Sequence, residues 1–231
     1  MKKESRNILI IAATPFEIAP LTEWLQQHYS PGPGTAWRSA DGHLQISVEL
    51  CGIGLVATSF NLGRLLGSHS FDCILQLGIA GAYPTGKLSL GDVVYVSTDR
   101  IADLGASDPE GNFLSLHHIG LAEPSAAVIP AAPPAAAQHF LQTLPAVQSL
   151  SVNHISGDPA RQDHFELDKD LPLIESMEGA AFHYACHTAG LPFIQIRSIS
   201  NWVEPRDKSR WQMKTAIENL NKTAIALLHH L

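Results

Sequence analysis

The feature of this sequence that most restricts its fold is a set of short runs that are apolar at nearly every position. Residues 7–13 form one such run, and residues 73–77 and 192–199 form two more. A strand with little polar alternation has both faces covered, as in a parallel sheet between two layers of helices. We therefore expect these runs to be central strands.

Segments with helical spacing alternate with the strands along the chain. Further strands are predicted at 43–50, 92–96 and 149–156. Helices are predicted at 16–27, 55–66, 179–187 and 209–231. This order predicts an α/β fold, a three-layer α/β/α sandwich around a central, mainly parallel (mixed) sheet, in a single domain over residues 1–231.

The composition restricts the function more weakly than the fold. The 231 residues are 45% hydrophobic and carry a formal charge of −7, without a dense run of Lys or Arg. No nucleic-acid partner is therefore expected. No stretch approaches the roughly 18 apolar residues of a membrane span, so we expect no membrane partner and a cytoplasmic location. Cys51, Cys73 and Cys186 are interpreted as reduced core residues.

The fold class predicts where a ligand would bind. In sheets of this kind the site lies at the carboxyl ends of the strands, where the turns after Ala13, Leu77 and Ile199 would meet. The second is followed by a predicted turn of small residues, Gly78–Ala82, where a ligand could approach the backbone. Residues 99–134 lack periodicity, and loops of that length are often functional.

Three polar residues stand close to these predicted strand ends. Glu17 and Glu178 open helices, where a carboxylate also has an ordinary role beside the helix dipole. Asn201 follows a strand, where Asn is a common turn residue. Separately, each residue has a structural explanation, and only their combination points to a site.

Seven short motifs occur in order across nearly the whole chain. They are Ile10–Ala13 with Glu17, Cys51–Gly54, Gly78–Ala82, Gly91–Val94, Ser156–Asp158, Met177–Glu178 and Arg197–Asn201. Together they resemble the landmarks of the nucleoside phosphorylase and nucleosidase family. The resemblance implies cleavage of a purine N-glycosidic bond without a cofactor, by a homodimer or larger homo-oligomer.

The resemblance also implies roles for individual residues. Glu178 would bind the ribose hydroxyls, Met177 would pack on the sugar, and Glu17 would hold and deprotonate the attacking water. Asn201 would contact the purine. These roles fit the chemistry, because cleavage builds positive charge on the ribose and negative charge on the departing base.

Further substrate contacts are assigned by the same resemblance to Gly78, Ile79, Gly81 and Ser200. Ile79 departs from the family, since many relatives carry Ser in this glycine-rich segment. A phosphate-binding hydroxyl is thereby lost, which favours water over phosphate as the nucleophile.

A second departure concerns the base. The family's adenine-specific nucleosidases carry Asp where this chain has Asn201. A neutral amide can donate to O6 of a 6-oxopurine, whereas an ionised Asp would repel that oxygen, so hypoxanthine is favoured over adenine. Residues 175–182 and 199–206 are especially similar to futalosine hydrolases. The alternatives within the family are a methylthioadenosine/S-adenosylhomocysteine nucleosidase and a purine nucleoside phosphorylase.

The sequence leaves several candidates for two further contacts of such a substrate. A substrate carboxylate needs a cation, for which the candidates are Arg206, Arg161, His164 and Arg100. The base needs an aromatic neighbour, for which the candidates are Phe165, Phe182 and Trp202. Of these, Arg206 and Phe165 are our predicted contacts.

Rival functions rest on weaker patterns. The segment Gly52–Ala57 matches a dinucleotide-binding turn, but Asp72 stands at the wrong end of the next strand for the ribose contact of a dehydrogenase. His183 and His187 lie four apart on a predicted helix, but no general-base Glu stands between them, and no metal is expected.

Two further rivals make geometric predictions. A noncatalytic binding protein predicts that Glu17 and Glu178 point away from any common cavity. A sugar glycosidase predicts paired acids and gives Asn201 no role.

Overall fold

The computed structural model describes residues 5–33, 36–123, 128–155, 157–165 and 167–231. Its strands are β1 Arg6–Ala12, β2 Ser30–Pro31, β3 Ala36–Arg38, β4 Leu44–Leu50, β5 Cys73–Ala82, β6 Val93–Ile101, β7 Gly105–Ser107, β8 Phe113–Ser115, β9 Ile129–Pro130, β10 Ala146–Ser151, β11 Leu173–Ser176 and β12 Phe193–Trp202. Its α-helices are α1 Pro15–His28, α2 Leu55–Ser68, α3 Ala135–Leu141, α4 Gly179–Thr188 and α5 Met213–Leu228.

The main sheet runs in the order β11-β10-β6-β12-β5-β1-β4-β3-β2. Strand β1 pairs in parallel with β4 and β5, and β12 pairs in parallel with β5. The contacts of β12 with β6 and of β11 with β5 are antiparallel, so the sheet is mixed. Because β11 also pairs with the far end of β5, strands β5, β12, β6, β10 and β11 close into a ring.

Strand β1 shows why continuous apolar runs become central strands. Ile8 and Ile10 pack in a core cluster with residues of α1 and α5. Leu9 and Ile11 point to the other face and pack with residues of α2 and α4. Since neighbouring side chains alternate between the two faces, a helix layer on each side requires apolar residues at every position. The predicted three-layer α/β fold is confirmed.

The glycine-rich segment Gly78–Ala82 is not a turn, contrary to the prediction. It continues β5, which is ten residues long, and it is paired with β12 on one side and with β11 at its end. Gly and Ala have poor intrinsic strand preference, but hydrogen bonds to neighbouring strands override that preference here. The segment is therefore a hydrogen-bonded part of the sheet and not a loop.

Other boundaries also differ from the sequence prediction. Strand β10 ends at Ser151, earlier than the predicted 149–156, and Ser156 lies outside the described residues. The irregular region 99–134 contains the end of β6, the β7–β8 hairpin and β9. Strand β11 was missed because it is only four residues long.

Two features of the described residues bear on the expectations from composition. Cys51, Cys73 and Cys186 are unbonded and buried, as predicted. No helix in the described part of the chain has the length and apolar character needed to cross a membrane.

Candidate active site

A cavity of about 300 Å³ opens at the carboxyl ends of β1, β5, β11 and β12. This is the edge of the sheet that the fold class predicted. Its lining residues are Ala13, Thr14, Phe16, Glu17, Ile53, Ile79, Ala80, Gly81, Val152, Ile155, Glu175, Ser176, Met177, Glu178, Ser200, Asn201, Trp202, Val203, Glu204, Arg206, Trp211, Met213 and Ile217. Fourteen of these 23 residues are apolar or glycine, and the nine polar ones come from several elements of the fold.

Glu17 stands in the first turn of α1 and is buried. Its Oε2 accepts hydrogen bonds from the backbone N–H and the hydroxyl of Thr14, each at 3.0 Å, and its Oε1 accepts one from the Ile79 N–H at 3.1 Å. Burial raises the pKa of Glu17 above its ordinary 4.5, while Arg197 and these donors oppose the rise. A carboxylate with a raised pKa is a better proton acceptor, as a general base requires.

Glu178 immediately precedes α4 and connects three elements. Its Oε1 accepts a hydrogen bond at 3.1 Å from the N–H of Gly54, in the turn before α2. Its Oε2 lies 3.4 Å from both terminal nitrogens of Arg197 on β12. The carboxylate is buried and faces the same cavity as Glu17. A noncatalytic binding protein was predicted to have Glu17 and Glu178 pointing away from any common cavity, and that prediction is wrong.

Arg197 is a site residue that the sequence analysis named only as the start of a motif, without a role. It is 1% exposed and contributes coulombic attraction to Glu17 while pairing with Glu178. Two buried carboxylates would repel each other strongly without such a cation. The signal was a lone charge inside the apolar run Phe193–Ile199, which is unusual for a strand covered on both faces.

Gly78 has a different role from the predicted substrate contact. A Cβ built there would lie 2.2 Å from Arg197 Nη1 and 2.9 Å from Glu17 Oε1. Gly78 does not line the cavity. The missing side chain instead provides the space through which the guanidinium reaches the two carboxylates.

Asn201 lies near the end of β12, where a bulge between Ile199 and Asn201 shifts the pairing with β5. A bulge of this kind redirects side chains, and here the amide faces the cavity. Its Oδ1 accepts a hydrogen bond from the Ser200 hydroxyl at 2.8 Å, and its Nδ2 donates to the Trp202 carbonyl at 2.9 Å. One N–H of the amide remains for a ligand.

Gly81 lies directly beside this amide. A Cβ at Gly81 would stand 3.0 Å from Asn201 Nδ2, so the glycine gives the amide room. Of the other predicted contacts, Met177, Ile79, Ser200 and Arg206 line the cavity.

Phe165 does not line this cavity, contrary to the prediction. Its ring packs against Phe113 at a centroid distance of 5.9 Å, and Arg100 lies 5.9 Å above it. Phe182 is fully buried between α4 and the sheet, which leaves Trp202 as the candidate aromatic that lines the cavity. Among the candidate cations, Arg206 lines the cavity and the side chain of Arg161 lies outside the described atoms.

The rival patterns have structural explanations. Asp72 accepts a hydrogen bond from the Asn7 N–H at 2.7 Å, which fixes the start of β1. His183 is buried, and its Nδ1 pairs with the Ile129 carbonyl at 2.9 Å. No group of three or more potential metal ligands occurs among the residues that the structure describes.

Comparison with known proteins places the chain in a family. The phosphorylase superfamily model matches residues 7–231, and the chain belongs to that superfamily. The chain is 30% identical over 216 residues to the futalosine hydrolase of Thermus thermophilus, covering 84% of this chain and 85% of the relative. It is 28% identical over 236 residues to the 5′-methylthioadenosine/S-adenosylhomocysteine nucleosidase of Pseudoalteromonas translucida, covering 97% of each.

A solved structure matches the fold over nearly the whole chain. It is a mutant of the Helicobacter pylori nucleosidase MTAN with 5′-methylthioadenosine in the active site, with a TM-score of 0.77. The match covers 98% of this chain and 100% of that one at 18% identity, which shows the common fold. The relatives in sequence are nucleosidases, and this chain is an N-glycosyl hydrolase of the same family.

Proposed function

We propose that the protein hydrolyses the N-glycosidic bond of futalosine and releases hypoxanthine and dehypoxanthine futalosine, a step of menaquinone biosynthesis. The observation that carries this proposal is the neutral amide of Asn201 facing the cavity. Its remaining N–H donates to O6 of hypoxanthine, and the Ser200 hydroxyl orients the amide by donating to its Oδ1. Similarity to a futalosine hydrolase at 30% identity supports the proposal.

The carboxylates carry the chemistry at the sugar. Glu178 binds the ribose hydroxyls and stabilises the positive charge that develops on the ribose, while Met177 packs on the ring. Glu17 takes a proton from the attacking water as the water oxygen bonds to C1′ and the bond from C1′ to the purine nitrogen breaks. The bond electrons leave with the purine, which departs as an anion hydrogen-bonded to Asn201 and takes its proton from water.

The remote carboxylate of futalosine requires a cation at the edge of the cavity. Arg206 is exposed, lines the cavity and lies with its guanidinium carbon 5.5 Å from the ring centroid of Trp211. The nearby Glu204 carboxylate is engaged by Arg210 at 2.9 Å. Arg206 has no carboxylate partner among the described residues, so it can bind an anionic group that packs along Trp211.

The second candidate is a methylthioadenosine/S-adenosylhomocysteine nucleosidase. It is favoured by the near-complete alignment with the nucleosidase of Pseudoalteromonas translucida. Apolar residues Phe16, Met213 and Ile217 on the cavity wall could accommodate an alkylthio group. A phosphorylase is disfavoured because Ile79 offers no side-chain donor to phosphate.

We also propose that the enzyme is a homo-oligomer. Phe16 and Ile53 line the cavity although they are 78% and 62% exposed, and Val56 and Phe60 on the adjacent α2 are 81% and 70% exposed. A second copy would cover this apolar surface and complete the cavity wall. Light scattering should report a dimer or larger assembly, and a monomer at micromolar concentration would contradict the proposal.

The test of the proposed function is base release by the purified protein, followed chromatographically. Futalosine, inosine and methylthioadenosine are supplied separately, with and without phosphate. Hypoxanthine release from futalosine without phosphate supports the proposal. Adenine release from methylthioadenosine in its place supports the second candidate, and a requirement for phosphate makes the protein a phosphorylase.

A further inference from the structure

A buried carboxylate lies beneath the active site without touching the cavity. Asp99, near the end of β6, is 1% exposed. Its Oδ1 accepts a hydrogen bond from the Ser151 hydroxyl at 2.8 Å, and its Oδ2 accepts one from Gln195 Nε2 at 3.3 Å. The chemical step proposed above does not use this group.

The same carboxylate supports the beginning of α4. The Ala180 N–H donates to Ser151 Oγ at 2.8 Å, so Ser151 connects the helix to Asp99. A Cβ at Gly179 would stand 2.0 Å from Asp99 Oδ2 and 2.3 Å from Gln195 Nε2. Only a glycine allows the first turn of the helix to rest on the carboxylate, and Glu178 is the residue immediately before it.

Electrostatics explain how a carboxyl group is accommodated there. Burial raises the pKa of Asp99 to about 6, while the Ser151, Ser149 and Gln195 side chains and the positive charge of Arg197 oppose the rise. The amino end of α4 favours negative charge as well. Burying a carboxyl group still costs free energy that an apolar residue would not, so a functional reason for its presence is expected.

We infer that Asp99 is a positioning residue, which fixes Glu178 at the sugar through Ser151 and the first turn of α4. The direct contacts of Glu178 are one hydrogen bond from the Gly54 N–H at 3.1 Å and two long contacts to Arg197 at 3.4 Å. The position of the backbone that carries Glu178 therefore matters for placing the carboxylate, together with these contacts. The inference rests on the ribose-binding role of Glu178 in the proposed function.

The experiment compares three variants with the wild-type enzyme on the nucleoside that the wild type hydrolyses. Asp99→Asn removes the charge, and Ser151→Ala removes the connection to the Ala180 N–H. Ser97→Ala is the matched control, since Ser97 lies on β6 like Asp99 and its hydroxyl donates to the Val147 carbonyl at 2.9 Å. Each variant is measured for KM, kcat, inhibition by the free purine base and thermal unfolding.

We expect Asp99→Asn and Ser151→Ala to raise KM for the nucleoside about tenfold, a loss of about 1.4 kcal/mol. Inhibition by the free base should stay within about twofold of wild type, because the base contacts Asn201 on β12 and not the sugar-side carboxylate. A general loosening of the fold would weaken both ligands together. Ser97→Ala should change neither constant by more than about twofold.

Normal KM in both variants, or an equal loss of nucleoside and base binding, would overturn the positioning role. If Asp99→Asn does not fold, Ser151→Ala decides the question in the same way. A wild-type protein that hydrolyses no purine nucleoside overturns the proposed function itself, and with it the basis of this inference.

Discussion

The cavity holds its polar groups in two contrasting ways. The carboxylate cluster, made of Glu17, Glu178 and Arg197, is buried, charged and bonded across α1, the turn before α2, α4 and β12. The β12 exit, made of Asn201 and Arg206, carries a neutral amide and an exposed guanidinium. One region is fixed by its neighbours, and the other faces solvent or a ligand.

This difference separates the reaction from the choice of substrate. Charges buried together can be retained only with close partners, so changes in the carboxylate cluster disturb the whole group. A half-buried amide or an exposed guanidinium can be exchanged with small effect on the fold. We therefore expect substitutions in the cluster to reduce turnover on every substrate and substitutions at the β12 exit to change the preference among substrates.

The largest expected effect is that of Glu17→Gln. Loss of the proton acceptor should reduce kcat by about 10²–10⁴-fold on every nucleoside while the protein still folds. Glu23→Gln, on the exposed side of the same helix, is the matched control and should have wild-type rates. A Glu17→Gln enzyme with near-normal turnover would remove Glu17 from the mechanism.

Gly78→Ala and Gly81→Ala test the contrast within a single strand. The methyl group at position 78 meets Arg197 and Glu17, so we expect about 100-fold lower kcat and a loss of about 1–3 kcal/mol in unfolding free energy. At position 81 it meets Asn201 Nδ2 at 3.0 Å, so base affinity should fall more than kcat. Steady-state kinetics and chemical denaturation measure these effects in the two variants. Equal changes in kcat, base affinity and unfolding free energy would contradict the separate roles of the carboxylate cluster and the β12 exit.

Asn201→Asp should change which base is released. An ionised carboxylate repels O6 of hypoxanthine, so the ratio of kcat/KM for 6-oxopurine over 6-aminopurine nucleosides should fall about 10–100-fold. The measurement is the rate on paired inosine and adenosine compounds. Asn201→Ala is the control that removes the amide without adding charge, and an unchanged ratio in Asn201→Asp would exclude Asn201 from base recognition.

Arg206→Gln should affect only substrates with a remote carboxylate. We expect about tenfold higher KM for futalosine and no change for methylthioadenosine, which lacks that group. Lys208→Gln removes an exposed positive charge nearby that does not line the cavity, and it should leave both constants unchanged. Equal increases of the futalosine KM in the two variants would indicate that positive charge in this region attracts the substrate without a specific contact to Arg206.

The smallest expected effect concerns pH. Because the pKa of Glu17 is raised, its basic form is present above that raised value, and kcat/KM should fall as the pH drops through it. Thr14→Val removes a hydrogen bond to the ionised form and so raises the pKa of Glu17 further, and this fall should move to higher pH. Ser200→Ala, which removes a hydrogen bond to Asn201 and none to Glu17, should not move it.

The sequence predicted the layered fold because its signal is local. Apolar residues at each position of β1 require cover on both faces, and that requirement is visible in one short run. The closure of the ring through β11 was not visible, since Leu173–Ser176 is short and its pairing with β5 bridges about ninety residues of sequence. The extension of β5 through Gly78–Ala82 was missed for the same reason.

The residues of the candidate site show the same difference between local signals and long-range contacts. Glu17, Glu178 and Asn201 were found because each stands at a strand end or helix start, and family resemblance assigned their roles. Arg197 was overlooked because its importance lies in what it touches, which depends on a glycine more than a hundred residues away. Phe165 was misplaced because an aromatic residue in a loop carries no local sign of the surface it covers.

A competition assay tests the central claim most directly. Equal concentrations of futalosine and methylthioadenosine are mixed with the wild-type enzyme, and the initial rates of hypoxanthine and adenine release give the ratio of their kcat/KM values. The amide of Asn201 and the guanidinium of Arg206 predict a large excess of hypoxanthine. An excess of adenine would contradict the account and assign the site to a methylthioadenosine nucleosidase.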